Sequence, residues 1–372
     1  MKNINQATSV STKEEPIRIG VATTPAEKRE VYRLRYNIFA EEIGYDLSEV
    51  DHQNKLLYDD LDEWAILLTA HIGTTLIGTA RVNIGRISDF SSDLVQIYRM
   101  AKFRKFYNKE DDPCFTVISR GMITRRYRSS VAMYLLIAKM YELSCNYQVK
   151  FSFLNCNFHL ISFYEHYGQI RIDKNTLDPN DKSSLTSMVM LIDDVEHLRA
   201  VGSPLFRIAR KRTALNNKVT DWFYSEFFHE IKTNVNSRLV TEDELWAIMF
   251  RYFDNMPTQK ISLLNGLSIS EVKLFLHSCT SIVHCHIGDC ITSCGNISQE
   301  LIVLLSGKAQ SSQKGTILPG EYCGDNGLVG LTKHVSTVIA LDDLDILVLS
   351  YYNFSSFRKR RPDIARKILS NL

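Results

Sequence analysis

The chain has 372 residues, 45% of them apolar and 23% charged, with 44 Lys and Arg against 42 Asp and Glu for a net charge of +2. That length suffices for two domains with separate cores. The near-balance of charge excludes a dedicated nucleic-acid binder, and no apolar run approaches the ~18 residues of a membrane span.

The opening MKNINQATSVSTKEEP is polar and has no apolar core segment. It reads as a flexible tail over 1–15, neither signal peptide nor anchor. Thr24-Pro25-Ala26-Glu27 predicts a helix start: Thr as N-cap, Pro at the first helical position, Glu completing a capping box. Val31, Leu34, Ile38 and Phe39 continue the helical spacing to about Gly44. WAILLTAHI (64–72) and TLIGTARVNI (75–84) predict a hairpin about Gly73-Thr74. A central strand from Phe115 ends on Ser119-Arg120, and the basic turn Arg125-Arg126-Tyr127-Arg128-Ser129-Ser130 leads into a helix over 129–147. A strand at 150–156, a short helix at 158–167 and a strand at 184–192 complete one α/β domain over 16–200. Residues 201–266 read as an amphipathic helical connector. From 267 to 372 short strands alternate with Gly turns before a helix at 353–371, the pattern of a small all-β jelly-roll barrel.

Eight cysteines lie scattered among apolar segments without small-scaffold spacing, which predicts free thiols in a reducing cytoplasm. HSCTSIVHCHIGDCITSC (277–294) has no C-x₂-C pair and maps onto strands, so no metal site is expected. The high Asn and Lys content points to a bacterial source.

A strand running into a basic loop at a helix N-terminus is an anion seat, because unpaired N–H groups and the positive dipole end face the ligand. Arg125, Arg126, Arg128, Ser129 and Ser130 are the candidates to hold a donor phosphate there. Arg120 ends a core strand, where an arginine must be paired or functional.

Residues 20–195 resemble the GNAT-type acyltransferases, and within them the acyl-homoserine-lactone synthases and long-chain N-acyl amino acid synthases. The matching residues are Leu34-Arg35 and Phe39, Tyr45, Asp59 and Asp62, Gly78-Thr79-Ala80-Arg81, Ser119-Arg120, and Phe163-Tyr164-Glu165-His166-Tyr167-Gly168. The resemblance implies a mixed α/β GNAT sheet and transfer of a fatty acyl group from acyl carrier protein or acyl-CoA to an amine, expected to be an amino acid. It makes Asp59, Asp62, Ser119 and Arg120 the catalytic candidates and Arg35, Phe39 and Arg81 the substrate-binding ones. Glu42 is a further proton acceptor to weigh. In two places the chain departs from the family. Val117 stands where the synthases keep a Glu, and Arg128-Ser129-Ser130-Val131-Ala132-Met133 replaces a glycine-rich donor loop. Loss of those glycines loosens the approach to a pyrophosphate, which favours a carrier protein's single phosphate.

Residues 270–372 resemble the cyclic nucleotide-binding domain, through GDCITSCGNISQELIVLLSGKAQ, LPGEYCGDNGLVG and HVSTVIALDDLDILVLSYYNF. The nucleotide-binding places fall on Gly324, Asp325, His334, Ser336 and Thr337. Asp325 replaces the family's Glu and His334 its Arg, which removes a fixed guanidinium opposite the phosphate. The expected partners are a small amine, acyl carrier protein and a second copy of the chain, with no nucleic acid. Two other readings are a cyclic-nucleotide-gated protein lysine acetyltransferase and a non-catalytic sensor whose sites have decayed.

Overall fold

The computed structural model describes residues 15–44, 49–172, 174–178, 183–253, 255–330 and 332–372, with backbone alone at 325 and 326. The tail before Glu15, Tyr45 and the Asp325 side chain lie outside that description. The main N-terminal sheet contains Ile17–Val21 (β1), Ile66–Ile72 (β2), Thr75–Arg86 (β3), Cys114–Ile123 (β4), Phe151–Cys156 (β5), Ile170–Arg171 (β6) and Ser184–Leu191 (β7). Their order is β1-β2-β3-β4-β5-β7-β6, and the two-residue strand Thr176–Leu177 also pairs with β7.

Two irregularities shape the centre of this sheet. Between Thr79↔Met122 and Arg81↔Ser119, β4 carries one more residue than β3, a bulge that takes Arg120 and Gly121 out of the ladder. Arg120 adopts φ 53° there, a left-handed conformation that is uncommon for a side chain of its size. On the other side β4 and β5 run parallel and pair only at Thr116↔Ser152 and Val117↔Phe153. Beyond that the strands splay, because β4 continues to Ile123 and β5 to Cys156 without further pairing.

The predicted elements survive with shifted ends. Thr24 and Glu27 form the expected capping box, but regular α-helix runs only from Pro25 to Tyr36 (α1). Asn37–Ile43 widens into a π-helical turn and stops at Gly44, whose φ of 75° suits glycine. The helix expected at 129–147 starts at Ala132 (α2, Ala132–Asn146), after a 3₁₀ turn at Arg125–Tyr127. The one at 158–167 divides into a 3₁₀ turn, Phe158–Leu160, and Ile161–His166 (α3). The terminal helix breaks into Tyr351–Arg360 and Pro362–Leu369, since Pro362 has no N–H to continue the first.

α2 covers one face of the sheet, packing Leu136, Ile137 and Met140 on Leu68, Ala80 and Val82. The other face is aromatic: the Phe103 ring lies 4.9 Å from Phe151, 4.8 Å from Phe153 and 5.0 Å from Phe227. Phe227 and Phe223 belong to the expected connector, so its first half is part of the N-terminal core. Its second half, with Leu245, Met249 and Phe253, packs on the C-terminal helices.

The C-terminal strands form two four-stranded antiparallel sheets and a two-stranded ribbon, Ile297–Ser298 with Thr332–Lys333. One has the order Thr280–Cys285, Leu344–Ser350, Glu300–Leu304, Tyr322–Cys323, and the other Cys290–Thr292, Val338–Ala340, Ala309–Ser311, Gly315–Ile317. The chain crosses between the sheets in jelly-roll fashion. Among the described residues no strand pairs across them, so the expected barrel is an open sandwich. No helix among the described residues is long and apolar enough to cross a membrane.

Candidate active site

The bulge in β4 gathers a charge cluster. Arg35, on α1, is 0% exposed, and its Nη1 lies 2.8 Å from each carboxylate oxygen of Asp62, itself 2% exposed. Arg81, on β3, donates from Nε to Ser119 Oγ at 2.9 Å, pairs with Asp59 through Nη1, and lies 3.2 Å from Asp62 Oδ2. Arg120 reaches Asp59 Oδ2 at 3.3 Å and Glu49 Oε1 at 3.9 Å, and its guanidinium sits 5.5 Å from the Phe39 ring centroid. The cluster thus brings together Arg35, Phe39, Asp59, Asp62, Arg81, Ser119 and Arg120, seven sequence candidates from five elements.

The two aspartates cap a 3₁₀ turn at Asp60–Glu63. Asp59 accepts from the Leu61 N–H, and Asp62 accepts from the Asp59 N–H at 3.0 Å. Asp62 is locked inside the protein and balances Arg35 and Arg81, which is a structural place. Burial pushes the Asp59 carboxyl up, but the Arg81 and Arg120 guanidinia outweigh it and hold it below the usual carboxylate range. A general base works best with a pKa near the working pH, so Asp59 suits the aiming of the arginines better than proton removal. Val117, at the place of the synthases' Glu, is fully buried opposite Phe153.

Sequence reasoning missed two groups here. Glu49 faces Arg120, and its Oε2 is buried with no hydrogen-bond partner. Tyr98 feels the charges of Arg81 and Arg120, and burial raises its phenol pKa so that it stays protonated. Neither stands in a spacing that marks it. Glu49 follows the residues outside the description, and Tyr98 ends a short helix, Ser92–Ile97, that periodicity did not reveal.

The donor loop divides by role. Arg125 and Arg126 are exposed and form no ion pair among the described residues, although Arg126 lies over the Tyr127 ring at 5.4 Å. Arg128 instead is a strut: Nε donates to Ile123 O at 3.1 Å and Nη1 lies 2.7 Å from Glu42 Oε1. Ser130 Oγ donates to Tyr127 O and accepts from Ala132 N, while Ser129 is exposed. No side chain caps α2 at Val131, and although Ser130 Oγ takes the Ala132 N–H, the rest of the first turn presents its N–H groups to an anion. Replacing Arg125 and Arg126 together by Ala is expected to raise the donor KM roughly 5- to 20-fold through lost anion contacts. Stability should stay within ~0.5 kcal/mol per site, because both side chains are exposed. Initial-rate kinetics with varied donor and urea melts check the two halves, and an unchanged KM would remove these arginines from the donor site.

Between the splayed strands lies a small cavity of about 20 Å³, lined by Ile118, Leu154, Tyr164, Tyr167, Gln169 and Met190 among others. Burial pushes the Tyr164 phenol well above its ordinary range. A larger groove of about 480 Å³ includes none of the charge cluster and is lined by Tyr134, His166, Arg199, Ser203, Phe206 and Arg207 among others.

Residues 34–138, the stretch that holds the cluster and the donor loop, match the model of the acetyltransferase (GNAT) domain. That stretch is similar to the GNAT acetyltransferases. Among solved structures the chain is similar to FeeM, an N-acyl amino acid synthase from uncultured soil microbes, at 11% identity over 52% of this chain and 98% of that one, with a TM-score of 0.41. It is also similar to a cyclic nucleotide-binding domain from Methylobacillus flagellatus, at 18% identity over 36% of this chain and 76% of that one, with a TM-score of 0.29. The N-terminal domain of a transcriptional regulator from Streptomyces coelicolor matches at 22% identity over 31% and 86%, with a TM-score of 0.29. No curated protein matches the sequence.

The nucleotide-binding places of the C-terminal sandwich are engaged internally. His334 Nε2 lies 3.1 Å from Glu300 Oε1, Thr337 Oγ1 accepts from Cys294 N, and the Ser336 carbonyl accepts from Thr292 Oγ1. Gly324 has φ 80°, and a Cβ there would meet the Glu300 carbonyl at 2.8 Å. His284, in the segment weighed for a metal, pairs with Asp345 at 2.9 Å, and Cys285 beside it is fully buried.

Proposed function

We propose that the chain N-acylates a small amine, an amino acid by preference, using an acyl thioester as donor. The observation that carries this reading is the arginine pair at the β4 bulge. Arg81 and Arg120 present cationic donors beside the β4–β5 splay and suit an acceptor carboxylate. The amine attacks the thioester carbon, the carbonyl oxygen takes up the charge, and collapse expels the thiolate while the amine loses a proton. Glu49, with a carboxylate oxygen free of hydrogen bonds, is the acceptor we favour for that proton. Backbone N–H groups released from the ladder at 120–121 supply donors for the oxyanion.

The open N-terminus of α2 with Arg125 and Arg126 suits the donor phosphate. The groove beginning at Tyr134, in the first turn of α2, carries Arg199 and Arg207 and has room for a nucleotide, which supports coenzyme A over a carrier protein. The C-terminal sandwich contributes regulation or support.

The test is mass spectrometry of reactions containing the purified chain, a mixture of amino acids, and an acyl group on coenzyme A or on carrier protein. An N-acylated product that disappears in the Arg120→Gly variant is the expected result, with the coenzyme A thioester the better donor. No product and no thiol release from either donor would remove the reading.

A further inference from the structure

The mouth of the C-terminal sandwich is filled by the acyltransferase domain itself. The turn Phe158–Leu160, between β5 and α3, places His159 Nδ1 2.8 Å from Glu300 Oε2, and His334 grips the other oxygen of the same carboxylate. All three side chains are at least nine-tenths buried. Only about 30 Å³ remains between Asn157, His159, Ser184, Asn296, Glu300 and His334, room for a single water. Behind the polar pin the contact is apolar. Leu154, Cys156 and Met188 from the N-terminal sheet, with Phe158 and Ile161 from the turn and α3, share one cluster with Ile302, Val338 and Val348 from the interior of the sandwich. Arg171 on β6 reinforces the junction by donating to the Ile282 carbonyl at 2.6 Å and to the Val235 carbonyl, and Asn353 donates to Ser162 Oγ at 2.7 Å.

We infer that the sandwich is a brace whose resident ligand is the chain's own turn at 157–160, pinned by Glu300 between His159 and His334. The inference rests on the acyl-transfer reading for its catalytic consequence only. The turn continues directly from β5 into α3, and those two elements supply Leu154 and Tyr164 to the wall of the splay cavity. Holding the turn therefore fixes one wall of the splay, where the acyl-transfer reading brings the donor thioester to the acceptor amine. A small anion can reach His334 only by displacing the Glu300 carboxylate, which also frees the turn, so binding at this seat and bracing of the donor wall exclude one another. Burial pushes the Glu300 carboxyl up, yet the hydrogen bonds from the two histidines prevail and hold it at about 2, so the pin is anionic at neutral pH.

Full-length Glu300→Gln keeps the side-chain shape and removes the charge, and His159→Gln serves as a second variant. Hydrogen exchange followed by mass spectrometry should show peptides over 157–166 and 324–336 exchanging about 10-fold faster or more in both, with β2 and β3 unchanged. The donor KM should rise roughly 5- to 10-fold with kcat within about twofold, as expected for a wall that no longer holds the donor. Calorimetry with cyclic AMP should show no binding to the native chain at ~1 mM, because its seat is taken. Unchanged exchange in both variants would overturn the brace, as would saturable cyclic AMP binding that leaves 157–160 protected. The exchange result decides the brace even if the chain transfers no acyl group, so the two readings fail separately.

Discussion

Asp62→Asn should destabilise the protein by roughly 3–5 kcal/mol, the cost of stranding a buried charge by deleting its partner. Arg35 is fully enclosed and Asp62 is its one ion-pair partner among the described residues, while its Nε and Nη2 already lack hydrogen-bond partners. An asparagine there still accepts one hydrogen bond but offers no charge to the guanidinium or to Arg81. The same substitution weakens the capping box at Asp59, since Asp62 accepts from the Asp59 N–H. Urea melts monitored by far-ultraviolet dichroism give the size directly. The double variant Arg35→Met/Asp62→Leu should recover more than half of the loss, because it removes both charges and fills the space with apolar atoms. An Asp62→Asn protein within ~1 kcal/mol of the native one would show that water enters the site and that the pair is solvated.

Arg120→Gly separates function from fold. Loss of the guanidinium is expected to lower acyl transfer about 100-fold or more, as for other residues that orient a substrate in a charged site. Stability should remain within ~1 kcal/mol, since glycine relieves a left-handed conformation costing about 1–3 kcal/mol and offsets the lost contacts. Asp59 keeps Arg81 as its partner, so no buried carboxylate is stranded. Kinetics and melts on one preparation read both effects. A large fall in stability with activity per folded molecule unchanged would make Arg120 a structural residue.

The sequence disclosed elements whose local chemistry is complete. Thr24 and Glu27 mark a helix start because the cap lies within four residues, and Gly73-Thr74 marks a hairpin because the turn lies between two apolar strands. The cluster was legible as residue types, from Arg35 through Ser119-Arg120, but its geometry was not. Which aspartate faces which arginine depends on a bulge that one strand cannot reveal without its partner. Ile17–Val21 passed unread although IRIGV alternates, because five residues at a half-exposed edge beside a polar tail make too short a signal. Arg128 looked like a phosphate ligand for the same reason that Arg125 did, and only the fold brings Glu42 to it. The connector looked like one piece since amphipathic helices do not say which core they face, and its halves join different ones.

The π turn at Asn37–Ile43 puts spacing, beyond composition, under constraint. Its wide coil carries Phe39 toward Arg120 and Glu42 toward Arg128, joining the two sides of the cleft through a single short segment. Deleting one residue there would restore an ordinary helical turn and swing Glu42 about 100° around the axis, away from its partner. Descendants of this chain should therefore accept many exchanges of side chain between 37 and 43 but keep the number of residues fixed, so an alignment gap at that place would mark a lineage in which the cleft has been rebuilt.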